Sequence, residues 1–496
     1  MVSNRCTFKL YFVIGLFSFV CSMSTIDALA QRVLSPEVAL EIALANSPRI
    51  RDSQLNLEKN HERLNATRAR LKSQFSLSLT PLSYRQTRQF NDLFSTWYTN
   101  ETKQSSGTFQ IEQPIKWTDG TLRLINYFTW RDDYSSFQDL SSKTYTNNLY
   151  LSFEQPIFTY NRTKLELREL ELDYENASLN YSIQRLELEM EVMTRFFELY
   201  QKKMSLEIAV EELENNEQNY ETMKNKVEAG LAARDELYQE ELNYENSKAK
   251  VQNEQVALED AMDSFKRLLG LSIFEEISVE ADISHQPVDI DLKQAIDHGL
   301  KNRMELRQRH IDIEQAQYNL TRTSAQNEFK GSIEVSYGSI GTDERFENIY
   351  DSPEKSQEFS LSLNIPLWDW GEKKSRIKVA EADIKASKFD VEDEKIQIMI
   401  DIRSIYRTLQ KNVRQIEIAR KGVHLAQMTY EIDLERYESG DLSSFDLNQK
   451  QAQLSEKKMS LVDAQIGYKL ALLDMKIQSL WDFEKNQPVL PFGSDN

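Results

Sequence analysis

Apolar positions along this chain follow two different periods, and the switch between them divides it into two textures. Leu165, Leu172, Leu179, Leu186, Met193 and Tyr200 recur every seven residues, with Leu167, Tyr174, Tyr181 and Leu188 beside them. Ile377, Ile384, Val391, Ile398 and Ile405 form a second such series. Sustained heptads keep one seam on one side of an α-helix and predict left-handed coiled packing. Two adjacent series predict a helix touching neighbours on both flanks, as in a wall; a plain coiled-coil rod is the alternative. Elsewhere the period falls to two. Phe75, Leu77 and Leu79 alternate with serines and a threonine, and Leu149, Leu151 and Phe153 with Tyr150, Ser152 and Glu154. Ile333, Val335 and Tyr337, then Phe359, Leu361, Leu363, Ile365 and Leu367, do the same. One apolar and one small polar face suits strands between lipid and a wet lumen, and suits the edge of a soluble β-sandwich equally.

Breakers sharpen the division. Between Pro156 and Pro287 there is no proline, and only Gly230 and Gly270 interrupt. Between Pro366 and Pro488 there is again none, and beyond Gly371 only Gly422, Gly440 and Gly467 appear. Runs so rich in Leu, Glu, Lys, Gln and Ala predict very long helices. Residues 75–160 instead hold 18 of the chain's 50 aromatic residues, which marks that stretch as β.

The chain is also duplicated. A shift of 210 aligns 151–240 with 361–450, pairing Pro156 with Pro366, Gly230 with Gly440, Leu237 with Leu447 and Gln239 with Gln449. A shift of 256 aligns 39–79 with 295–335, pairing Asn46 with Asn302 and Arg51 with Arg307. The first copy, 31–290, is expected to hold a helix 36–72, a β region 74–158 with an extra hairpin, a long helix 162–228 and a return helix 232–269. The second copy, 291–496, is expected to hold a helix 291–328, a β region 331–367, a long helix 372–438, a return helix 442–480 and a C-terminal tail. Each long helix would extend ~100 Å, about the length of two short helices stacked end to end. The predicted fold class is thus α-helical coiled coils joined to a β region.

Residues 1–30 carry the marks of a removable secretory signal: basic Arg5 and Lys9, an apolar run from Leu10 to Val20, and an A-x-A site at Ala28-Leu29-Ala30. A lipoprotein signal ending at Cys21 is the rival, with bulky Val20 against it. Cys6 and Cys21, the only cysteines, fall in this segment, so the exported chain would carry no disulfide. The formal charge of −19 argues against nucleic acid and anionic lipid as partners. It suits a solvated wall or a cation-favouring lumen. No apolar run approaches the length of a membrane helix, so a role in a membrane would have to use strands. His61, His285, His298, His310 and His424 lack ligand spacing, and no phosphate loop, H-E-x-x-H or nucleophile elbow occurs. Neither an enzyme nor a metal or other cofactor is predicted.

Asn364-Ile365-Pro366-Leu367-Trp368-Asp369-Trp370-Gly371 resembles the strand-to-helix junction of the TolC-like outer-membrane efflux proteins. Gln155-Pro156-Ile157-Phe158 resembles its first-copy counterpart, with Asn161 standing where that family has glycine; a positive φ is expected there. Lys226-Val227-Glu228-Ala229-Gly230-Leu231 and Arg436-Tyr437-Glu438-Ser439-Gly440 resemble the family's periplasmic tips. Ala43-Leu44-Ala45-Asn46-Ser47-Pro48 and Leu268-Leu269-Gly270-Leu271 fit as well. The likeness covers nearly the whole mature chain, and its specificity lies in the order and duplicate spacing of the motifs.

The resemblance implies a homotrimer whose strands close one transmembrane β-barrel in outer-membrane lipid and whose helices form an α-barrel tunnel across the periplasm. It implies four strands per chain, twelve in all; whether the hairpin within 105–131 joins the barrel or stands above it is open. It implies docking of the tip turns, at Gly230, Leu231 and Gly440, on a periplasmic adaptor (membrane fusion protein) serving an inner-membrane RND or ABC transporter. Pro156, Pro366 and Gly371 would form the strand-to-helix junctions. Glu236 and Asp446 each lie six residues past a tip glycine, where family carboxylates ring the periplasmic entrance; Gln449 falls where a second aspartate stands. Ordinary solvated carboxylates are the plainer alternative. The implied function is the passive outer-membrane channel of a tripartite efflux or type I secretion system. A periplasmic coiled-coil adaptor or scaffold without a barrel is the competing class.

Overall fold

The two longest runs without proline each become one long helix and one shorter return helix. The computed structural model describes residues 32–284 and 287–489, so Cys21, Ala28, Ala30 and His285 lie outside the described residues. The first copy comprises β1 (Arg32–Leu34), α1 (Pro36–Asn46), α2 (Pro48–Arg70) and four strands. These are β2 (Gln74–Asn91), β3 (Thr96–Ile115), β4 (Gly120–Ser135) and β5 (Leu140–Ile157), followed by α3 (Arg162–Glu228) and α4 (Arg234–Leu269). After β6 (Ile277–Val279) the second copy runs α5 (Leu292–Asn302), α6 (Met304–Ser324), β7 (Lys330–Asp343) and a short 3-10 turn (Phe346–Tyr350). It continues with β8 (Glu354–Asn364), α7 (Glu372–Glu438) and α8 (Ser444–Ser479), and closes on β9 (Trp481–Asp482) and β10 (Gln487–Pro488). Helices α3 and α7 have 67 residues each, and α4 and α8 have 36 each.

Each opening helix, expected as one piece over 36–72 and 291–328, is two. Ser47 leaves the helix at φ −58°, ψ 126°, because the following Pro48 disfavours the α conformation before it. Arg303 makes the same break at φ −60°, ψ 126° without a proline. There the guanidinium holds the kink by donating to Glu305 at 3.0 and 2.6 Å and to Gln478.

The described residues divide into two units. One contains residues up to 50, 186–289 and 405–474. Its core includes Leu34, Ala39, Ala43, Phe196, Leu199, Phe265 and Leu269, all buried. Phe196 meets Phe265 and Phe197 edge-on, and β1 pairs in parallel with β6. The other unit contains 51–185, 290–404 and residues from 475 on. Within it, arginines of α2 and α6 reach carboxylates of α3: Arg70 to Glu166 at 2.7 Å, Arg307 to Glu175 at 2.6 and 2.9 Å. The Arg307 guanidinium holds the Glu175 carboxyl below its ordinary range, and is itself raised by that bond.

The sheet of this second unit has six strands in the order β2-β3-β4-β5-β7-β8, every neighbour antiparallel. The hairpin whose place was open thus joins this sheet, giving six strands where the resemblance implied four. The hairpin of the extra segment is β3–β4, and it is paired throughout, from Asn100↔Ser135 to Ile115↔Gly120. Its alternation was legible only in part, because Gln, Asn and Thr intrude at several apolar-face positions. Three four-residue turns join the first four strands, each ending on a left-handed residue: Ser95, Asp119 and Asp139.

Register carries one apolar face across all six strands. Leu77 lies beside Phe109, Leu122 beside Phe153, Phe153 beside Val335 and Val335 beside Phe359. The opposite face places Glu112 beside Arg123, which donates to Glu154 at 2.8 Å and Glu112 at 3.4 Å. Many of the apolar-face side chains are exposed, among them Phe75, Leu77, Leu79, Phe359, Leu361 and Leu363. Among the described residues no helix is long and apolar enough to cross a membrane.

Candidate functional site

Two helix ends meet in the first unit, and their chemistry is nearly identical. α3 stops because Gly230 enters the left-handed region at φ +74°. The Gly230 N–H donates to Val227 O at 3.0 Å and the Leu231 N–H to Lys226 O at 2.8 Å. α7 stops on Gly440 at φ +85°, with Gly440 N–H to Tyr437 O at 3.1 Å and Asp441 N–H to Arg436 O at 2.8 Å. Both are Schellman ends, in which glycine adopts a conformation costly for any residue with a Cβ. Lys226 ties the two together, since its Nζ donates to the Tyr437 and Glu438 carbonyls at 3.1 and 3.2 Å. A cation there also suits the negative end of the α7 dipole.

Between the turns lies a cleft of about 670 Å³ lined by Met223, Lys226, Leu231, Glu236, Tyr437 and Phe445, among others. Of the expected site residues it gathers Leu231, Glu236 and Gly440. Leu231 is 79 % exposed and Phe445 68 %, so apolar side chains stand out at both turns. Glu236 is exposed in the first turn of α4 and Asp446 in the first turn of α8. Asp446 and Gln449, also exposed, are not among the residues lining the cleft. The Asp446 carboxylate accepts from Ser443 Oγ at 2.7 Å, while Ser443 Oγ accepts from the Asp446 N–H at 3.2 Å. That reciprocal pair caps the start of α8, so Asp446 has local structural work to do besides any role in solution.

Glu240 was missed by sequence reasoning. It is fully buried, and its carboxylate accepts from Tyr437 Oη at 3.0 Å, from Ser444 Oγ, from Asn243 at 3.3 Å and from Asn448 at 3.5 Å. All four donors are neutral. Burial pushes the Tyr437 phenol above its ordinary value, and the neighbouring Glu240 charge adds to the rise. The available signal was spacing: Leu237, Glu240, Tyr244 and Ser247 share the inward stripe of α4, so a carboxylate stands where a core residue belongs. Below this cluster Met223, Tyr430, Tyr437, Leu447 and Leu454 form a small apolar core.

The strand-to-helix junctions belong to the other unit. Pro156 sits in β5 opposite Ser332, and Pro366 lies exposed just beyond β8. Gly371 takes φ +85° after Trp370 at +54°. Asp369 caps α7, accepting from the Gly371 and Lys373 N–H groups at 2.9 and 3.0 Å. Those two bonds, Lys373 first, hold its carboxyl below the usual range. Asn161 does not supply the positive φ expected of it; Phe158 does, at +59°. Asn161 instead caps α3 through Lys164 N–H at 2.7 Å and clamps the β3–β4 turn through the Lys116 and Trp117 carbonyls. An asparagine able to cap has no need of the left-handed region when the residue three before it makes the turn.

No curated protein matches the chain in sequence. Solved structures share its fold, among them three outer membrane proteins. The Campylobacter jejuni CmeC outer membrane channel superposes with TM-score 0.67 at 14% identity, over 93% of this chain and 87% of that one. The Vibrio cholerae outer membrane protein VceC gives 0.65 at 14% identity, over 90% and 95%. The open state of the Neisseria gonorrhoeae MtrE outer membrane channel gives 0.64 at 15%, over 90% and 88%. A family model described as outer membrane efflux protein matches residues 125–271 and 295–475, one stretch in each copy. Two long helices with paired Schellman turns, a sheet with one apolar face, and a match over most of both copies lead to one statement: the chain belongs to the outer membrane efflux protein family.

Proposed function

We propose that this protein is the outer-membrane channel of a tripartite efflux or type I secretion system, passively conducting substrates across the periplasm and outer membrane. Three copies would share one barrel and one helical tunnel. The tip turns around Gly230, Leu231 and Gly440 would dock on a periplasmic adaptor and, through it, reach an inner-membrane RND or ABC transporter. The observation that carries this reading is the sheet. Its apolar face runs across all six strands, interrupted by Gln113, Asn126 and Asn147, and its other face is mainly polar, which is the division a strand needs between lipid and water. Exposed Leu231 and Phe445 at the turns support docking by an apolar contact.

Glu236 and Asp446 would line the periplasmic entrance, with Gln449 beside them. In a threefold assembly they would place up to six carboxylates about one axis and favour cations. Planar-bilayer recording tests this. Replacing Glu236 and Asp446 together with alanine is expected to lower cation preference and block by multivalent cations. A matching change at the exposed Glu241 and Glu456 is the control and is expected to leave both unaltered. Unchanged selectivity in an intact trimer would return Glu236 and Asp446 to ordinary surface charge.

A further inference from the structure

We infer that neighbouring copies join β8 of one to β2 of the next, so that the barrel has eighteen strands, six from each of three copies. The inference rests on the trimeric outer-membrane reading above and adds the number and identity of its joining strands.

Four observations carry it. Among the described residues the sheet ends in two free edges, β2 and β8, so each has a row of backbone donors and acceptors on one side that no described strand meets. In lipid such groups have to be paired, which leaves a second copy as the occupant. Six strands that alternate in direction bring β8 of one copy antiparallel to β2 of the next, so the ladder continues around a ring without a parallel defect. The faces also agree. Phe75, Leu77 and Leu79 on β2 and Phe359, Leu361 and Leu363 on β8 are exposed and lie on the same side of the sheet, while Ser76, Ser78, Ser360 and Ser362 lie on the other.

The stagger fits a closed ring. A line across the strands from Gln74 passes through Glu112, Arg123, Ser152 and Ser336 to Glu358, six residues above the end of β8 at Asn364. Six residues are about 20 Å of strand and five interstrand steps about 24 Å, a tilt of about 40°. Closed barrels tilt their strands by about 35–45°. With that tilt, eighteen strands give a backbone diameter of about 36 Å, against about 24 Å for twelve. The polar face would line this wider bore. It carries Glu112, Glu154, Glu334 and Glu358 against Arg123 and Lys330 in its lower part, with Ser152 donating to Glu334 at 3.3 Å.

Cysteine pairing tests the join. Cys6 and Cys21 are the only native cysteines and both fall in the expected signal, so an introduced pair stands alone in the exported chain. Continuing the stagger by zero to two residues places Ser362 opposite Ser76 or Ser78 of the neighbouring copy. The pairs Ser76→Cys with Ser362→Cys, and Ser78→Cys with Ser362→Cys, are oxidised in outer membranes. One of them is expected to give reductant-sensitive dimer and trimer bands on denaturing gels, which the single variants lack. Ser332→Cys with Ser362→Cys, opposite each other within one sheet, serves as the intrachain control. An intact trimer in which the control oxidises and neither β2–β8 pair links copies overturns the eighteen-strand join. Linking through Thr121→Cys with Ser362→Cys would assign the edge to β4 and the ring to twelve strands. Absence of any trimer in unheated wild-type samples would instead remove the reading on which the join rests, and the join with it.

Discussion

At the scale of single residues, the most informative side chain is one that a sequence scan passes over. Glu240 is a carboxylate in the core, satisfied by four neutral donors drawn from α4, α7 and α8. Removing a donor to a buried charge leaves part of its desolvation uncompensated, at about 1–3 kcal/mol. Tyr437→Phe should therefore loosen the two turns while leaving the rest of the chain alone. Faster amide exchange confined to residues 436–448 is the expected result, and unaltered exchange there would show that the hydroxyl contributes nothing. The glycines make a different demand. A Cβ at Gly230 or Gly440 would meet no atom, so the cost of Gly440→Val is set chiefly by φ +85°, about 1–3 kcal/mol. The variant is expected to weaken adaptor capture in a pull-down more than it lowers the melting temperature of the trimer. Equal losses would make the turn merely structural.

At the scale of elements, long helices were legible because heptads and the absence of proline are local signals that nothing tertiary has to override. Both breaks in the opening helices were missed. Pro48 signals the one after Ser47, although 36–72 was expected as one piece. The break at Arg303 depends on a guanidinium reaching Glu305 and Gln478, which no short-range pattern reveals. Likewise the start of α8 depends on Ser443, whose hydroxyl caps Asp446. Ser443→Ala should cost about 0.5–2 kcal/mol, read as earlier fraying of α8 by amide exchange. The arginine–glutamate contacts between α6 and α3 carry a pH signature. Because Glu175 is held below its ordinary value of 4.5, its contribution is present above that pH and is lost as pH falls through the lowered value. Arg307→Met should flatten the decline in melting temperature below about pH 4.5. Parallel declines in parent and variant would mean the pair is fully screened.

At the scale of the whole molecule, duplication and order of motifs said more than any one of them. Register across β2 to β8 could not be read beforehand, because a hairpin with glutamines and asparagines on its apolar face pairs as well as one without them once its neighbours are in place. That is why the extra hairpin was visible in sequence while its membership of the sheet was not. The junction was partly legible in the same sense: Gly371 makes its turn directly, whereas Asn161 was assigned a turn that Phe158 performs.

Everything proposed depends on copies of this chain closing their sheets in a lipid bilayer. The direct measurement is fractionation of cell envelopes, with electrophoresis of the recovered protein before and after heating. The protein should sediment with outer membranes, resist extraction by salt, dissolve only in detergent, and migrate as a trimer unheated and a monomer heated. Release without detergent as a monomer would contradict the channel and favour a periplasmic scaffold built from the same helices.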